Sequence, residues 1–251
     1  MLELIPIYLI IIVYGICIGS FLNVCIYRIP KKENIIIESS HCMSCGRKLR
    51  WYELIPLLSF IIQGGKCRGC KTKLSVQYPI IELSNGLLYL VIFLKFGFTL
   101  QTLLYMALTS VLIVISVIDF RTYEIPFGCN VFIFVLGVIR VIIDLPHMSK
   151  YVIGFFAISA FLYILYYFSK GRAIGGGDIK LMAAAGLLLG FDKIILAFVI
   201  GCVVGSILHI IRMKLSGKNH MLAFGPYLSI GIWISMMWGE ELIKMYLNSF
   251  M

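Results

Sequence analysis

The chain is predicted to be an all-α polytopic membrane protein of about eight transmembrane helices, with a small polar insert between the first and the second. Three observations carry this reading. The 251 residues are 61% hydrophobic and only 14% charged, with a mean hydropathy of +0.98, which leaves too little polar surface for a soluble domain. Apolar stretches recur at close to the ~20 residues that a helix needs to cross about 30 Å of hydrocarbon. The basic residues, finally, are segregated along the chain in step with those stretches.

The predicted spans cover 4–27, 79–96, 100–118, 126–143, 152–168, 179–189, 194–211 and 222–238. The first lacks a basic leading region and runs too long for a cleavable signal. The sixth is short and rich in Ala and Gly. Gly15-x-x-x-Gly19 in the first span and Gly201-x-x-x-Gly205 in the seventh have the spacing that lets helix backbones approach closely. No internal repeat or low-complexity tract is evident.

A net charge of +10 invites a nucleic-acid partner, but its distribution argues against one. With the N-terminus outside, seventeen of the 22 Lys and Arg residues fall in inner segments, four in outer segments, and Arg140 within a span. Ten of the inner ones lie in the insert, between Arg28 and Lys73. This is the excess of inner Lys and Arg that orients membrane proteins, so the charge reflects topology and not a basic binding face.

The expected organisation is a first transmembrane helix at 1–27, a cysteine-bearing insert at 28–77 and a multi-helix membrane body at 78–251. Within the insert, Cys42-x-x-Cys45 and Cys67-x-x-Cys70 form two CxxC pairs. Two thiolates at this spacing grip one ion from a tight turn, and a second pair completes a tetrahedron, the pattern of a structural zinc site with four cysteine ligands. Two redox pairs or disulfides are the alternative, disfavoured in a reducing cytoplasm. Gly46 and Gly69 suit the knuckle turns, and nearby Lys and Arg favour thiolate. Cys17, Cys25, Cys129 and Cys202 show no paired spacing and read as apolar packing residues. His41 could substitute as a ligand, but four cysteines already satisfy zinc. His147, His209 and His220 have no partner spacing.

Only four aspartates occur in the chain. Asp119 ends the apolar run 112–118, and Asp178 follows Gly175-Gly176-Gly177. The fourth and fifth spans separate them, and an even number of crossings returns both to one side. Asp144 and Asp192 fall at the opposite ends. A carboxylate at a membrane span is costly and by default marks function. Two together suit acid–base chemistry on water, one proton being shared between them. The three glycines allow close backbone approach and unusual dihedrals, and Pro126 opens the next helix where its missing N–H costs nothing. The plainer reading makes Asp178 a helix cap, the glycines a loose loop and Lys180 a simple charge partner.

These motifs resemble those of the type IV prepilin peptidases, membrane aspartic proteases of the GXGD class. The likeness runs through Gly19-Ser-Phe-Leu-Asn-Val-Cys-Ile-Tyr-Arg-Ile-Pro30, the two CxxC pairs with Leu54-Ile-Pro56 and Lys66-Cys-Arg68, and Tyr78-Pro-Ile-Ile-Glu82. It continues with Asp119 and Ile125-Pro126, Gly175-Gly-Gly-Asp178-Ile-Lys180 and Phe224-Gly-Pro226. The resemblance implies Asp119 and Asp178 as the catalytic pair, with Gly175, Gly177, Lys180 and Pro126 supporting the catalytic loops. It implies cleavage of a basic leader from prepilins or pseudopilins at the cytoplasmic face of a bacterial inner membrane. Members with the cysteine insert also N-methylate the new N-terminus with S-adenosylmethionine, which the complete insert favours here; no fingerprint for that cosubstrate is visible. Glu53 stands where many relatives carry Asp or Asn. Glu33, Glu38, Glu53 and Glu124 are the acidic residues expected to receive a basic leader, and Glu82 is a candidate contributor to methyl transfer. A peptidase without methyltransferase activity is the nearest alternative, and an ion-coupled transporter the alternative from another class.

Overall fold

The structure, a computed structural model, describes residues 4–36, 38–172, 174–216 and 222–249. His220, and Lys218 among the seventeen inner basic residues, lie outside them. Every predicted span is a helix: α1 (Ile5–Arg28), α3 (Gln77–Phe96), α4 (Leu100–Thr122), α5 (Phe127–Ile143), α6 (Met148–Ser169), α7 (Gly176–Leu189), α8 (Phe191–Ser216) and α9 (Gly225–Asn248), with a short α2 (Leu58–Ile62) in the insert. Among the described residues, five stretches are long and apolar enough to cross a membrane, in α1, α3, α4, α6 and α8, and the protein is a multi-pass membrane protein. The expectation of eight spans is thus not met by length and composition alone. α5 is a shorter apolar helix. α7 has 14 residues, about 21 Å at 1.5 Å per residue. α9 carries Glu240, Glu241 and Lys244 in its second half.

The chain forms two compact units, 1–114 and 115–251, divided within α4. In the first, the small-residue spacing of α1 is used directly. A Cβ on Gly15 would sit 2.8 Å from the Gly86 Cα, and one on Gly19 would sit 2.7 Å from the Glu82 Cα. The two helices therefore pack backbone to backbone, locked by the Asn85 side-chain amide donating to the Gly15 carbonyl at 2.7 Å. Arg28, at the end of α1, is buried and turns its guanidinium onto the chain that follows, donating to the Asn34 and Glu38 carbonyls at 3.0 Å each. A charged donor with several carbonyl acceptors fixes the start of the insert, with no acidic partner among the described residues.

In the second unit α7 is the core. Residues 181–189 are all buried, enclosed by α5, α6, α8 and α9. The Ala and Gly content of this short segment is what lets its neighbours close in, since a Cβ on Gly154 of α6 would meet the Gly186 carbonyl at 2.6 Å. Gly201 of α8 likewise faces Tyr227 and Leu228 of α9. Asp144 and Asp192 are each held by partners of their own. Asp144 accepts from the Tyr151 hydroxyl at 2.6 Å and pairs with His147 and Arg140, and Asp192 pairs with Lys150 at 3.2 Å.

Candidate active site and cysteine cluster

Both aspartates lie inside helices and not in the loops beside them. α4 continues past the predicted end at 118 to Thr122, whose hydroxyl donates to the Ile118 carbonyl at 2.9 Å, and Tyr123 donates its N–H to the Asp119 carbonyl at 2.8 Å. Asp119 thus sits in the last turn of α4. α7 begins at Gly176, so Asp178 occupies the third position of its first turn. It is not the N-cap, which is Gly175; its carboxylate instead reaches back to the Gly175 N–H, one half of a capping box.

The two side chains are 5% and 9% exposed, and Asp178 feels the charge of Asp119. No cation is paired with either among the described residues. Lys180 does not serve that purpose; its ammonium lies over the Phe127 ring at 5.2 Å. Asp119 is oriented from α9, where the Gly225 N–H donates to its Oδ2 at 2.9 Å. Pro126 takes the N-cap of α5 in an extended conformation, one residue before the position the sequence predicts.

The glycines act by absence of bulk. None of Gly175, Gly176 and Gly177 has a positive φ, so the unusual dihedrals expected from their sequence are not used. A Cβ on Gly177 would lie 2.9 Å from the Ile125 Cβ and one on Gly175 would lie 3.2 Å from Asp178 Oδ2, whereas Gly176 faces open space. The Asp119-x-x-x-x-x-Ile125-Pro126 segment and the Gly175-x-Gly177 segment therefore interlock. Two contributors lacked an assigned role in the sequence reading. Gly225 belongs to the Phe-Gly-Pro motif, noticed without a role, and Asn130, buried in α5, points its amide at the Gly177 carbonyl at 3.5 Å. A polar residue inside an apolar helix was the available signal for the latter.

The four insert cysteines converge, with their sulfurs all within 4.8 Å of one another. The sulfurs of Cys42 and Cys70 are 3.8 Å apart, which is the edge of a tetrahedron with Zn–S bonds of about 2.3 Å. Two antiparallel bridges, His41 with Lys48 and Lys66 with Lys73, close the knuckles. Backbone N–H groups of Cys70 and Gly69 hold the Cys67 thiol below its ordinary range, and Thr72 brings Cys70 down to about 6. The donor set fits a tetrahedral thiolate-binding ion. His41 is turned to the Ser39 carbonyl.

Glu53 corrects an expectation. It is buried, accepting from Arg47 at 2.6 Å and from the Arg50 N–H at 2.9 Å. Those two contacts hold its carboxyl below the usual range, and commit it to bracing the knuckle, so it is not free to receive a basic leader. Glu124 is exposed in the loop after Asp119.

Residues 13–96 match the Bacterial Peptidase A24 N-terminal domain, and residues 106–210 match the Type IV leader peptidase family. A relative from Pseudomonas aeruginosa is 30% identical over 94% of this chain and 92% of its own length. One from Bacillus subtilis is 32% identical over 95% and 97%, and one from Xanthomonas campestris is 30% identical over 93% and 92%. Each is named a prepilin leader peptidase/N-methyltransferase. No solved structure matches the chain. The protein is a membrane enzyme belonging to the type IV leader peptidase family.

Proposed function

We propose that the chain is an aspartic endopeptidase that removes the basic leader of type IV prepilins or pseudopilins at the cytoplasmic face of a bacterial inner membrane. The observation that carries this reading is the convergence of Asp119 and Asp178, two buried carboxylates without a paired cation, in a chain of this family. One carboxylate, ionised, takes a proton from water as the oxygen attacks the scissile carbonyl. The other, protonated, gives its proton to the carbonyl oxygen. The tetrahedral intermediate then collapses, with the proton passing to the leaving amine. Gly225 fixes the orientation of Asp119, and the Gly177–Ile125 contact brings the two segments together. The excess of inner Lys and Arg supports the orientation, with the insert and the aspartates on the cytoplasmic side.

The three-part organisation at 1–27, 28–77 and 78–251 belongs to this proposal. Cys42, Cys45, Cys67 and Cys70 would hold a Zn²⁺ whose contribution is to fold the insert. The new N-terminus would then be methylated. S-adenosylmethionine, when bound, would supply the methyl group to the neutral α-amine, its sulfur leaving as the thioether of S-adenosylhomocysteine and the amine proton passing to water. The names of the relatives and the complete insert support this second activity.

The test is mass spectrometry of a prepilin incubated with the purified protein and S-adenosylmethionine. Loss of the leader and gain of one methyl group in wild type, with no cleavage by Asp119→Asn or Asp178→Asn, is expected. Cleavage that survives either substitution overturns the dyad.

A further inference from the structure

The first unit holds a cavity of about 350 Å³ between the end of α1, the start of α3 and the cysteine insert, within the range of small-molecule sites. Most of its polar wall is internally satisfied. Asn23, 2% exposed, donates to the Tyr78 and Gly19 carbonyls and accepts from Gln77. Arg28 is spent on backbone carbonyls, and Glu53 on Arg47.

Glu82 is different. It lines the cavity at 6% exposure. Its Oε2 accepts the Leu57 N–H at 2.8 Å, and the Ser20 hydroxyl also bonds to the carboxylate. Both donors are neutral, and no ion pair reaches Glu82 among the described residues. Two features keep it in place. The contact of Gly19 with its Cα sets the helix, and Leu57, held at a φ of +59°, aims its N–H from the insert. A positive φ at a leucine is costly, so the surrounding structure maintains this contact against strain. A buried carboxylate without a cation is expensive to keep, and the cost is recovered when a ligand brings the positive charge. Beside it, Tyr27 and Tyr78 stack in parallel at 5.8 Å and 11°, presenting aromatic surface to the same cavity. Aromatic faces with a nearby carboxylate suit a cation attached to a flat heterocycle.

We propose that this cavity is the S-adenosylmethionine site, with Glu82 facing a cationic group of the methyl donor. The assignment rests on the methyl-transfer reading above and adds to it the location of the donor. It also gives the insert a second role, because Cys42, Cys67 and Leu54 form part of the same wall.

The experiment is isothermal titration of full-length protein in nanodiscs with S-adenosylmethionine and with S-adenosylhomocysteine, which lacks the sulfonium charge. The proteins compared are wild type, Glu82→Gln and Tyr27→Ala, with bound zinc measured as the control for a folded insert. Glutamine keeps an acceptor for Leu57. With zinc retained, Glu82→Gln is expected to weaken S-adenosylmethionine at least tenfold, and Tyr27→Ala to weaken both compounds. A matching loss of S-adenosylhomocysteine places the α-ammonium on Glu82, and a loss of S-adenosylmethionine alone places the sulfonium there. Wild-type binding that neither variant changes overturns the cavity while leaving methylation standing. No binding by wild type overturns both.

Discussion

The backbone N–H of Gly225 donates to Asp119 Oδ2 at 2.9 Å, and a Cβ added to that glycine would fall 2.8 Å from the same oxygen. The residue that orients the carboxylate is thus also the one that cannot grow. Gly225→Ala is expected to displace Asp119 and to cut cleavage by on the order of a hundredfold, the scale of a 1 Å misplacement of a catalytic group. Single-turnover cleavage against substrate binding checks it: kcat falls while KM stays within a few-fold.

Gly176→Ala and Gly177→Ala separate the two roles that neighbouring glycines can have. A Cβ at 176 meets nothing within 4 Å, whereas one at 177 collides with Ile125. Gly176→Ala is expected to keep full activity and to change stability by less than about 1 kcal/mol. Gly177→Ala is expected to lose cleavage at least tenfold with the protein still inserted and folded. Equal behaviour of the two variants in cleavage and thermal unfolding would refute the interlocking of the two segments.

If Asp119 and Asp178 act as a unit, their losses do not add. Asp119→Asn/Asp178→Asn should be no slower than the worse single variant, measured with excess enzyme to reach low rates. An additive double loss would mean independent contributions.

Glu53 gives the insert a pH dependence of defined sign. Its folded pKa is lowered by the Arg50 N–H and by Arg47, so its stabilising contribution is fully present above the unfolded value of about 4.3. It disappears as pH falls through the lower folded value. Hydrogen exchange of residues 42–70 in wild type and Glu53→Gln, followed from neutral pH down to about 3, should show two curves that converge at the acid end. Parallel curves would mean that the contact carries no linkage.

Metal removal should act on the insert. A chelator strong enough to strip zinc, or Cys45→Ser, is expected to increase proteolysis between residues 42 and 70 sharply, and zinc at one equivalent to restore protection. Unchanged proteolysis after zinc loss would remove the structural role of the cysteine cluster.

The positions of the helices were legible in the sequence because hydrocarbon imposes a length and a composition on whatever crosses it. The expectation that Asp119 and Asp178 share one side rests on counting crossings, whereas the cysteine cluster, which the structure does bring together, was legible from ligand spacing that short turns enforce. Lys180 and Glu53 show the limit of that reading. Lys180 stood two residues from Asp178, yet its ammonium lies over Phe127 of α5, and Glu53, expected to receive a basic leader, is taken by Arg47 within the insert. The use of the glycines belongs to the same category. Sequence shows that no side chain is present at 177 or 225, and only the fold shows which atom occupies the vacated space. Residue types and their spacing along the chain therefore determined the class of protein, its membrane helices and its candidate ligands. The tertiary structure alone decided which charged groups remain without a counter-ion among the described residues, Glu82 included, because that depends on distances between residues far apart in the chain.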